Sequence, residues 1–200
     1  MKTHTQSSLR YIVKIGVLTA MAFVLMLLEF PLPFLAPPFY ELDFSEIPVL
    51  IGSFALGPMA GVLIELLKNL LNLIFEGTTT SFVGEFANFV TGCAFVLPAA
   101  FIYRYRKTIK GALLGLGVGT VVLGVFGSLL NYFFLIPAFS QIYGLPLETI
   151  IGMGTAVNPL IGDLRTLVVI AVLPFNLVKG LACSLITFLL YKRVSPLLHK

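Results

Sequence analysis

The sequence has few charged residues. Aspartate, glutamate, lysine and arginine make up 11% of its 200 residues, whereas 58% are hydrophobic. A soluble domain of average composition carries about 25% charged residues. This chain has too few charged residues to cover its surface in water, and we expect most of it to lie in lipid. Its basic residues cluster at the ends of apolar segments instead of forming a stripe interleaved with aromatic residues, and nucleic acid is therefore not an expected partner.

The residues of common enzyme and metal sites are scarce or badly placed for chemistry. The Walker A motif G-x-x-x-x-G-K-[ST] is absent, so ATP hydrolysis by a P-loop is excluded, and neither H-E-x-x-H nor G-x-S-x-G occurs. The two histidines, His4 and His199, lie in the tails, and the two cysteines, Cys93 and Cys183, lack the spacing of a metal site. We expect no enzyme activity, no metal and no cofactor. An intramembrane enzyme using Glu65 or Glu85 and a purely structural subunit stay as alternatives.

Long apolar runs predict a single all-α integral membrane domain over residues 1–200. Runs of about 17–25 apolar residues can cross a bilayer as helices. The first run is followed by a proline-rich acidic segment without a small-residue cleavage site, so we interpret it as a retained helix and not as a signal peptide. The predicted membrane helices cover residues 11–28, 47–56, 59–75, 81–103, 111–137 and 167–191, with external loops at 29–46 and 138–165.

The distribution of charge predicts how these six helices are oriented. In a six-helix bundle the basic residues fall on one side, namely Lys2, Arg10, Lys14, Arg104, Arg106, Lys107, Lys110, Lys192, Arg193 and Lys200. The acidic residues fall on or near the other side, namely Glu29, Glu41, Asp43, Glu46, Glu76, Glu148 and Asp163, and only Arg165 opposes them. Five helices would separate the basic N-terminus from the other basic clusters. The positive-inside rule therefore predicts a multi-pass protein of the cell membrane with both termini in the cytoplasm.

Lys179 is the most informative polar residue, because it lies inside the last apolar run. A charged side chain at the centre of a membrane helix costs about 2.5–3.5 kcal/mol on insertion scales, so it usually faces a cavity or a partner. Asn176 lies three residues earlier on the same helical face, and Asn131 lies toward the outer end of the fifth helix. The three side chains could converge on one pocket open to the outside, suited to a polar but largely uncharged ligand.

Lys179 also needs a carboxylate nearby, because an uncharged ligand cannot neutralise it. Glu85 and Asp43 are the leading candidates, and a structural pair with Glu65 or Glu85 is the alternative. Glu65 itself precedes Lys68 by three residues, so these two can neutralise each other on one helical face or serve a function.

Three further groups of residues bear on the function. Glu85 and Asn88 repeat the three-residue spacing near the outer end of the fourth helix, as further candidates for the site. The first external loop carries Tyr40 and Phe44 around Leu42 and Asp43, which suits either a planar ligand or an interfacial aromatic belt. Small residues also line two helices. We expect internal packing for the glycines of the fifth helix and either packing or partner docking for Gly16 and Ala20. The glycines of the fifth helix are Gly115, Gly119 and Gly124, together with Gly117 and Gly127.

Two of these stretches, D-F-S-E-I-P at 43–48 and P-F-N-L-V-K at 174–179, resemble the substrate-binding S component of energy-coupling factor (ECF) vitamin importers, most closely the riboflavin-specific type. Residues 54–58, 65–69 and 84–89 extend the similarity. The resemblance implies a six-helix bacterial membrane protein with an outward-facing vitamin site. It implies that Asn131, Asn176 and Lys179 bind a flavin and that the segment 42–44 lines the flavin ring. It further implies that Gly16 and Ala20 contact a transmembrane coupling subunit served by two ATPase subunits. Thiamin or pantothenate is the alternative ligand.

Overall fold

The computed structural model describes residues 2–78 and 80–198, and it describes the side chains of residues 9–78 and 80–191. The side chains of several predicted cytoplasmic residues lie outside these ranges, namely Lys2, His4, Lys192, Arg193, His199 and Lys200. Within the described part, the chain is largely helical, with one short β-hairpin and connecting turns, as expected for an all-helical membrane protein.

The elements follow one another along the chain as several long helices with short pieces between them. They are α1 Lys2–Met26, β1 Phe30–Pro31, β2 Glu41–Leu42, α2 Glu46–Leu56, α3 Pro58–Phe75, α4 Val83–Tyr105, α5 Ile109–Leu130, α6 Ile136–Tyr143, α7 Leu147–Val157, α8 Leu164–Leu167 and α9 Leu173–Leu198. The two strands are antiparallel, with Phe30 opposite Leu42. Two π-helical turns, Asn131–Leu135 and Val168–Val172, join α5 to α6 and α8 to α9 without a break.

The fifth predicted helix is longer than the sequence suggested. It was expected to end at Pro137, but the helix runs without interruption from Ile109 to Tyr143. A proline inside a regular α-helix clashes with the carbonyl group four residues earlier. Here the π-helical turn precedes it, and the N–H of Ile136 bonds to the carbonyl of Asn131 five residues back. The wider turn accommodates Pro137, and a π turn placed in the same way precedes Pro174.

The predicted external loop 138–165 is also largely helical. It contains the end of α6, all of α7 and the start of α8. Asp163 caps α8, because its carboxylate accepts a hydrogen bond from the backbone N–H of Thr166 at 2.7 Å. This exposed cap holds the pKa of Asp163 below its usual value, since the backbone and side-chain groups of Thr166 both bond to the ionised form.

In the part of the chain that the structure describes, five helices are long and apolar enough to cross a membrane, over residues 9–26, 58–75, 83–105, 109–143 and 164–191. α2 has 11 residues, so it spans only about 16 Å, well short of a hydrocarbon core of about 30 Å. One end of α2 lies against the ends of α4 and α9, where Phe54 stacks on Tyr103 with ring centroids 4.6 Å apart and packs against Tyr191 at 5.5 Å. Its other end begins deep in the protein, at the buried Glu46.

Glycines allow α4 and α5 to pack closely. A Cβ atom on Gly115 would lie 2.6 Å from the carbonyl oxygen of Ala99, and one on Gly119 would lie equally close to that of Phe95. A Cβ on Gly124 would meet Leu177 of α9. The prediction of internal packing is therefore confirmed for these three glycines. It is wrong for Gly117, which is exposed and has nothing within 4 Å of its Cβ position.

Candidate ligand-binding cavity

A cavity of about 550 Å³ lies between the β-hairpin and the helices. Seven of the predicted site residues line it, namely Tyr40, Asp43, Glu85, Asn88, Asn131, Asn176 and Lys179. Helices α4 and α9 and the π-helical turn after α5 supply the last five of these, and the segment after β1 supplies the first two. Residues that are up to 139 positions apart in the sequence thus face one space, because the hairpin folds back over the helices.

Leu42 and Phe44 were expected to line a ligand, but neither is among the residues that line the cavity. Side chains along an extended segment alternate between its two faces. Glu41 and Asp43 face the cavity, and so Leu42 and Phe44 point the other way, where Leu42 is buried and Phe44 packs against both hydrophobic cores. Contact of Leu42 and Phe44 with a ligand therefore stays a prediction.

Lys179 forms an ion pair with Asp43, and Nζ lies 2.6 Å from Oδ2. The other carboxylate oxygen accepts a hydrogen bond from the backbone N–H of Ser45 at 2.7 Å. Burial by itself would raise the pKa of Asp43, but the nearby ammonium groups of Lys179 and Lys68 outweigh burial and hold that pKa well below its usual range. Asp43 is therefore one of the two carboxylates expected as the partner of Lys179, and the alternative pairs with Glu85 or Glu65 do not form.

Asn131, in the π-helical turn that follows α5, and Asn176, on α9, occupy neighbouring positions. The amide nitrogen of Asn131 donates to the carbonyl of Gly127 at 2.8 Å, and its amide oxygen accepts from the hydroxyl of Tyr40 at 2.5 Å. Gly127 lies between the two amides, and a Cβ atom there would approach the amide nitrogen of Asn176 to 2.9 Å. The glycine therefore makes room for Asn176, and the cavity wall gains two amides and a phenol side by side.

Below the cavity is a buried ion cluster, formed by Ser45, Glu46, Glu65, Lys68 and Asn69. Lys68 Nζ contacts Glu46 Oε1 at 2.6 Å, Ser45 Oγ at 2.8 Å and Glu65 Oε1 at 3.0 Å. The predicted pair of Glu65 and Lys68 is confirmed. Glu46, which also lines the cavity, is a partner of Lys68 that the sequence analysis missed, because it comes from a different helix. A Cβ on the neighbouring Gly92 would collide with the Glu65 carboxylate.

An acidic rim surrounds the mouth of the cavity, formed by Glu29, Glu41 and Glu85. Glu29 and Glu41 are exposed, and Glu85 accepts a hydrogen bond from the hydroxyl of Thr80 at 2.9 Å. Desolvation beside the cavity wall, together with the carboxylates of Glu41 and Asp43, raises the pKa of Glu29 to about 7. Glu29 and Glu41 were not predicted as site residues, although alternation along β2 from Asp43 would have indicated Glu41.

The two predicted docking residues lie on an open face of α1. Gly16 and Ala20 are exposed, whereas Ile15, Leu18 and Ala22 are buried against the bundle. A Cβ on Gly16 would meet nothing within 4 Å. This face of small residues is therefore free of internal packing. Among the described residues, no group of three or more histidine, cysteine, aspartate or glutamate side chains could hold a metal ion.

Comparison with known proteins assigns the family. The family model described as "ECF transporter, substrate-specific component" matches residues 10–191. The chain belongs to this family. It is therefore a membrane component of an ECF transporter and not an enzyme. As the substrate-specific component, it associates with an ECF module.

Individual relatives agree with this assignment. The S component is 38% identical over 189 residues to the riboflavin transporter RibU of Staphylococcus aureus, covering 94% of this chain and 92% of the relative. It is 35% identical over 188 residues to the riboflavin transporter FmnP of Bacillus subtilis, covering 92% of each chain. A solved structure of the S component of a bacterial ECF transporter is 36% identical, has a TM-score of 0.74, and is matched over 96% of this chain and 99% of its own.

Proposed function

We propose that this chain binds riboflavin outside the cell and delivers it to an ECF importer for ATP-driven uptake. Relatives that align over more than nine-tenths of the chain carry the name riboflavin transporter. The observation that carries the proposal is the convergence of Asn131, Asn176 and Lys179 on one cavity beneath the β-hairpin. Thiamin and pantothenate, the alternative ligands, have no such support from these relatives.

The chemistry of the cavity suits a neutral, planar and hydrogen-bonding ligand. Its volume of about 550 Å³ is within the range of about 300–1,000 Å³ that small-molecule sites occupy. Riboflavin has an aromatic ring system with donors and acceptors on one edge and a chain of hydroxyl groups. Tyr40 and Phe175, whose ring centroids are 5.6 Å apart, offer aromatic surface. The amides of Asn131 and Asn176 offer both donors and acceptors.

We further infer six crossings with both termini in the cytoplasm. The aromatic contacts of Phe54 with Tyr103 and Tyr191 join the C-terminal ends of α2, α4 and α9. On the other side of the bundle, Phe23 meets Phe75 where α1 and α3 end. α2 therefore runs parallel to α4 and α9, since the three helices meet at their C-terminal ends, and antiparallel to α1 and α3. It completes a crossing that the hairpin begins. The basic residues that follow α4 lie at the end with Tyr103, which the positive-inside rule assigns to the cytoplasm.

The free face of α1 is the proposed docking surface for the transmembrane coupling subunit, with two ATPase subunits supplying the energy. Small residues allow helices in a membrane to approach closely. Gly16→Leu and Ala20→Leu should therefore abolish co-purification with the coupling subunit while riboflavin binding persists. Gly117→Leu is the matched control, because Gly117 is also exposed with nothing within 4 Å of its Cβ position. If Gly16→Leu and Ala20→Leu still co-purify with the coupling subunit and only the Gly117→Leu control does not, this assignment is wrong.

The proposed ligand is tested by titrating purified protein into riboflavin and following the fluorescence of the flavin. We expect quenching at saturation, and an increase in melting temperature with riboflavin but not with thiamin or pantothenate, because a ligand stabilises the folded state that binds it. Lys179→Ala should weaken riboflavin binding by at least about tenfold, or 1.4 kcal/mol. Lys107→Ala removes an exposed lysine between α4 and α5 and should leave binding unchanged. Equal affinity of Lys179→Ala and the original protein would refute the site.

A further inference from the structure

The charges around the cavity are unequal in number. Five carboxylates line it, namely Glu29, Glu41, Asp43, Glu46 and Glu85. Among the described residues that line the cavity, Lys179 is the one lysine or arginine. Every part of the wall that carries charge, from the hairpin to α2 and α4, therefore carries negative charge, apart from one position on α9.

The single cation is already neutralised. Lys179 lies 2.6 Å from Asp43, and Glu46 is held by Lys68 behind the cavity wall. An anionic ligand could recruit Lys179 only by displacing Asp43, which would leave that carboxylate buried without its cation. Breaking a buried ion pair in this way is strongly unfavourable.

The carboxylates of the acidic rim have no lysine or arginine partner among the described contacts. Glu85 is held by the hydroxyl of Thr80, and Glu29 faces the carboxylates of Glu41 and Asp43, whose combined effect on Glu29 outweighs that of Lys179. Glu29 and Glu41 are exposed, so their field extends over the mouth and weakens as salt is added. An anionic group at the mouth therefore meets these carboxylates, and one inside the cavity meets a lysine that is already paired.

From this we infer that the acidic rim makes the site select uncharged riboflavin over its phosphate ester, with Glu29 and Glu41 as residues that determine this specificity. The inference rests on the proposed riboflavin site and adds the means by which a charged form of the same flavin is rejected. Specificity of this kind comes from a repulsive element instead of an additional attraction. The ring system and the first part of the chain are common to both ligands, so the phosphate group alone carries the discrimination.

The test compares dissociation constants for riboflavin, riboflavin 5′-phosphate and riboflavin 5′-acetate. Flavin fluorescence is followed with the purified full chain at low salt and about pH 8, where the phosphate carries nearly two charges. We expect the phosphate ester to bind at least about tenfold more weakly than riboflavin, a difference of about 1.4 kcal/mol, and the gap to narrow with added salt. The uncharged acetate ester extends the same end of the ligand, so it should bind closer to riboflavin.

The Glu29→Gln/Glu41→Gln variant should lower the ratio of the phosphate-ester and riboflavin dissociation constants to about one-third or less, a free-energy change of about 0.6 kcal/mol or more. The ratio is measured within each variant, so a general loss of binding cancels. Glu148→Gln is the matched control, because Glu148 is an exposed carboxylate on α7 that does not line the cavity, and it should keep the original ratio.

Three results would overturn the inference while leaving the proposed function intact. They are equal affinity for riboflavin and its phosphate, an acetate ester as weak as the phosphate ester, and an unchanged ratio in the double variant. Failure of the original protein to bind riboflavin at all would instead overturn the proposed function, and this inference with it.

Discussion

The ammonium group of Lys179 lies 2.6 Å from the carboxylate of Asp43, which is 136 residues earlier in the chain. Lys179 belongs to the last helix, and Asp43 belongs to the segment between the hairpin and α2. The backbone N–H of Ser45 binds the second oxygen of the same carboxylate. The pair therefore holds the hairpin segment against α9 at the cavity wall. It also neutralises a lysine whose charge an uncharged ligand could not balance.

This pair predicts a non-additive effect of mutations on stability. Lys179→Met leaves Asp43 buried without a cation and should cost about 3–5 kcal/mol of unfolding free energy, whereas Asp43→Asn/Lys179→Met should restore most of it, because no unpaired charge remains. Thermal unfolding in detergent without riboflavin provides the measurement. If the double variant is as unstable as the sum of Lys179→Met and Asp43→Asn, the two residues act independently and the interpretation is wrong.

The buried ion cluster makes a second prediction. Lys68→Met leaves Glu46 and Glu65 facing each other in the interior, and it should destabilise the protein by about 3–5 kcal/mol. Replacing all three by Glu46→Gln/Glu65→Gln/Lys68→Met removes every charge and should recover much of the melting temperature. Lys110→Met, an exposed lysine at the start of α5, serves as the control for the loss of a lysine alone. A melting temperature for Lys68→Met equal to that of the control would contradict this account.

Two glycines of α5 give a matched pair for testing helix packing. Gly115→Ala places a methyl group 2.6 Å from the carbonyl oxygen of Ala99, a backbone atom that cannot rotate away. We expect a loss of about 1–3 kcal/mol from overpacking. Gly117→Ala has nothing within 4 Å of the new methyl group and should not destabilise the protein. Equal melting temperatures for the two variants would show that α4 and α5 do not need this close contact.

The carboxyl group of Glu29 predicts a dependence of stability on pH. Desolvation and the neighbouring carboxylates of Glu41 and Asp43 raise its pKa from 4.5 to about 7 in the folded protein. Below about pH 4.5 the group is protonated in both states, and as pH rises toward 7 the unfolded chain loses the proton first, so the stability contributed by Glu29 falls.

Glu29→Gln should therefore melt at a higher temperature than the original protein at about pH 8, and the difference should shrink near pH 4.5. Thermal unfolding of both proteins across this range checks the prediction. Glu148→Gln, with its exposed carboxylate on α7, controls for a change in net charge. The opposite sign, with Glu29→Gln less stable at high pH, would mean that the Glu29 carboxylate is favoured by the fold.

Part of the site could be predicted from the sequence because intramembrane charge is costly. That cost singled out Lys179, and helical spacing added Asn176. The partner of Lys179 was narrowed only to Asp43 or Glu85, since nothing in the sequence shows which segment folds back over the helices. The same uncertainty applies to Leu42 and Phe44, because the direction of each side chain depends on a hairpin with strands of only two residues each.

The sequence by itself determined that this is a helical membrane protein without the motifs of an enzyme, because hydrophobic runs and missing residue types are properties of the chain alone. It also located the polar residues that lipid would not tolerate. Only the tertiary structure decided that Asp43 neutralises Lys179, that Glu46 joins Lys68, and that carboxylates surround the cavity mouth. The physical reason is that ion pairs and cavities depend on distances across the bundle, which form only when the hairpin and the helices pack together.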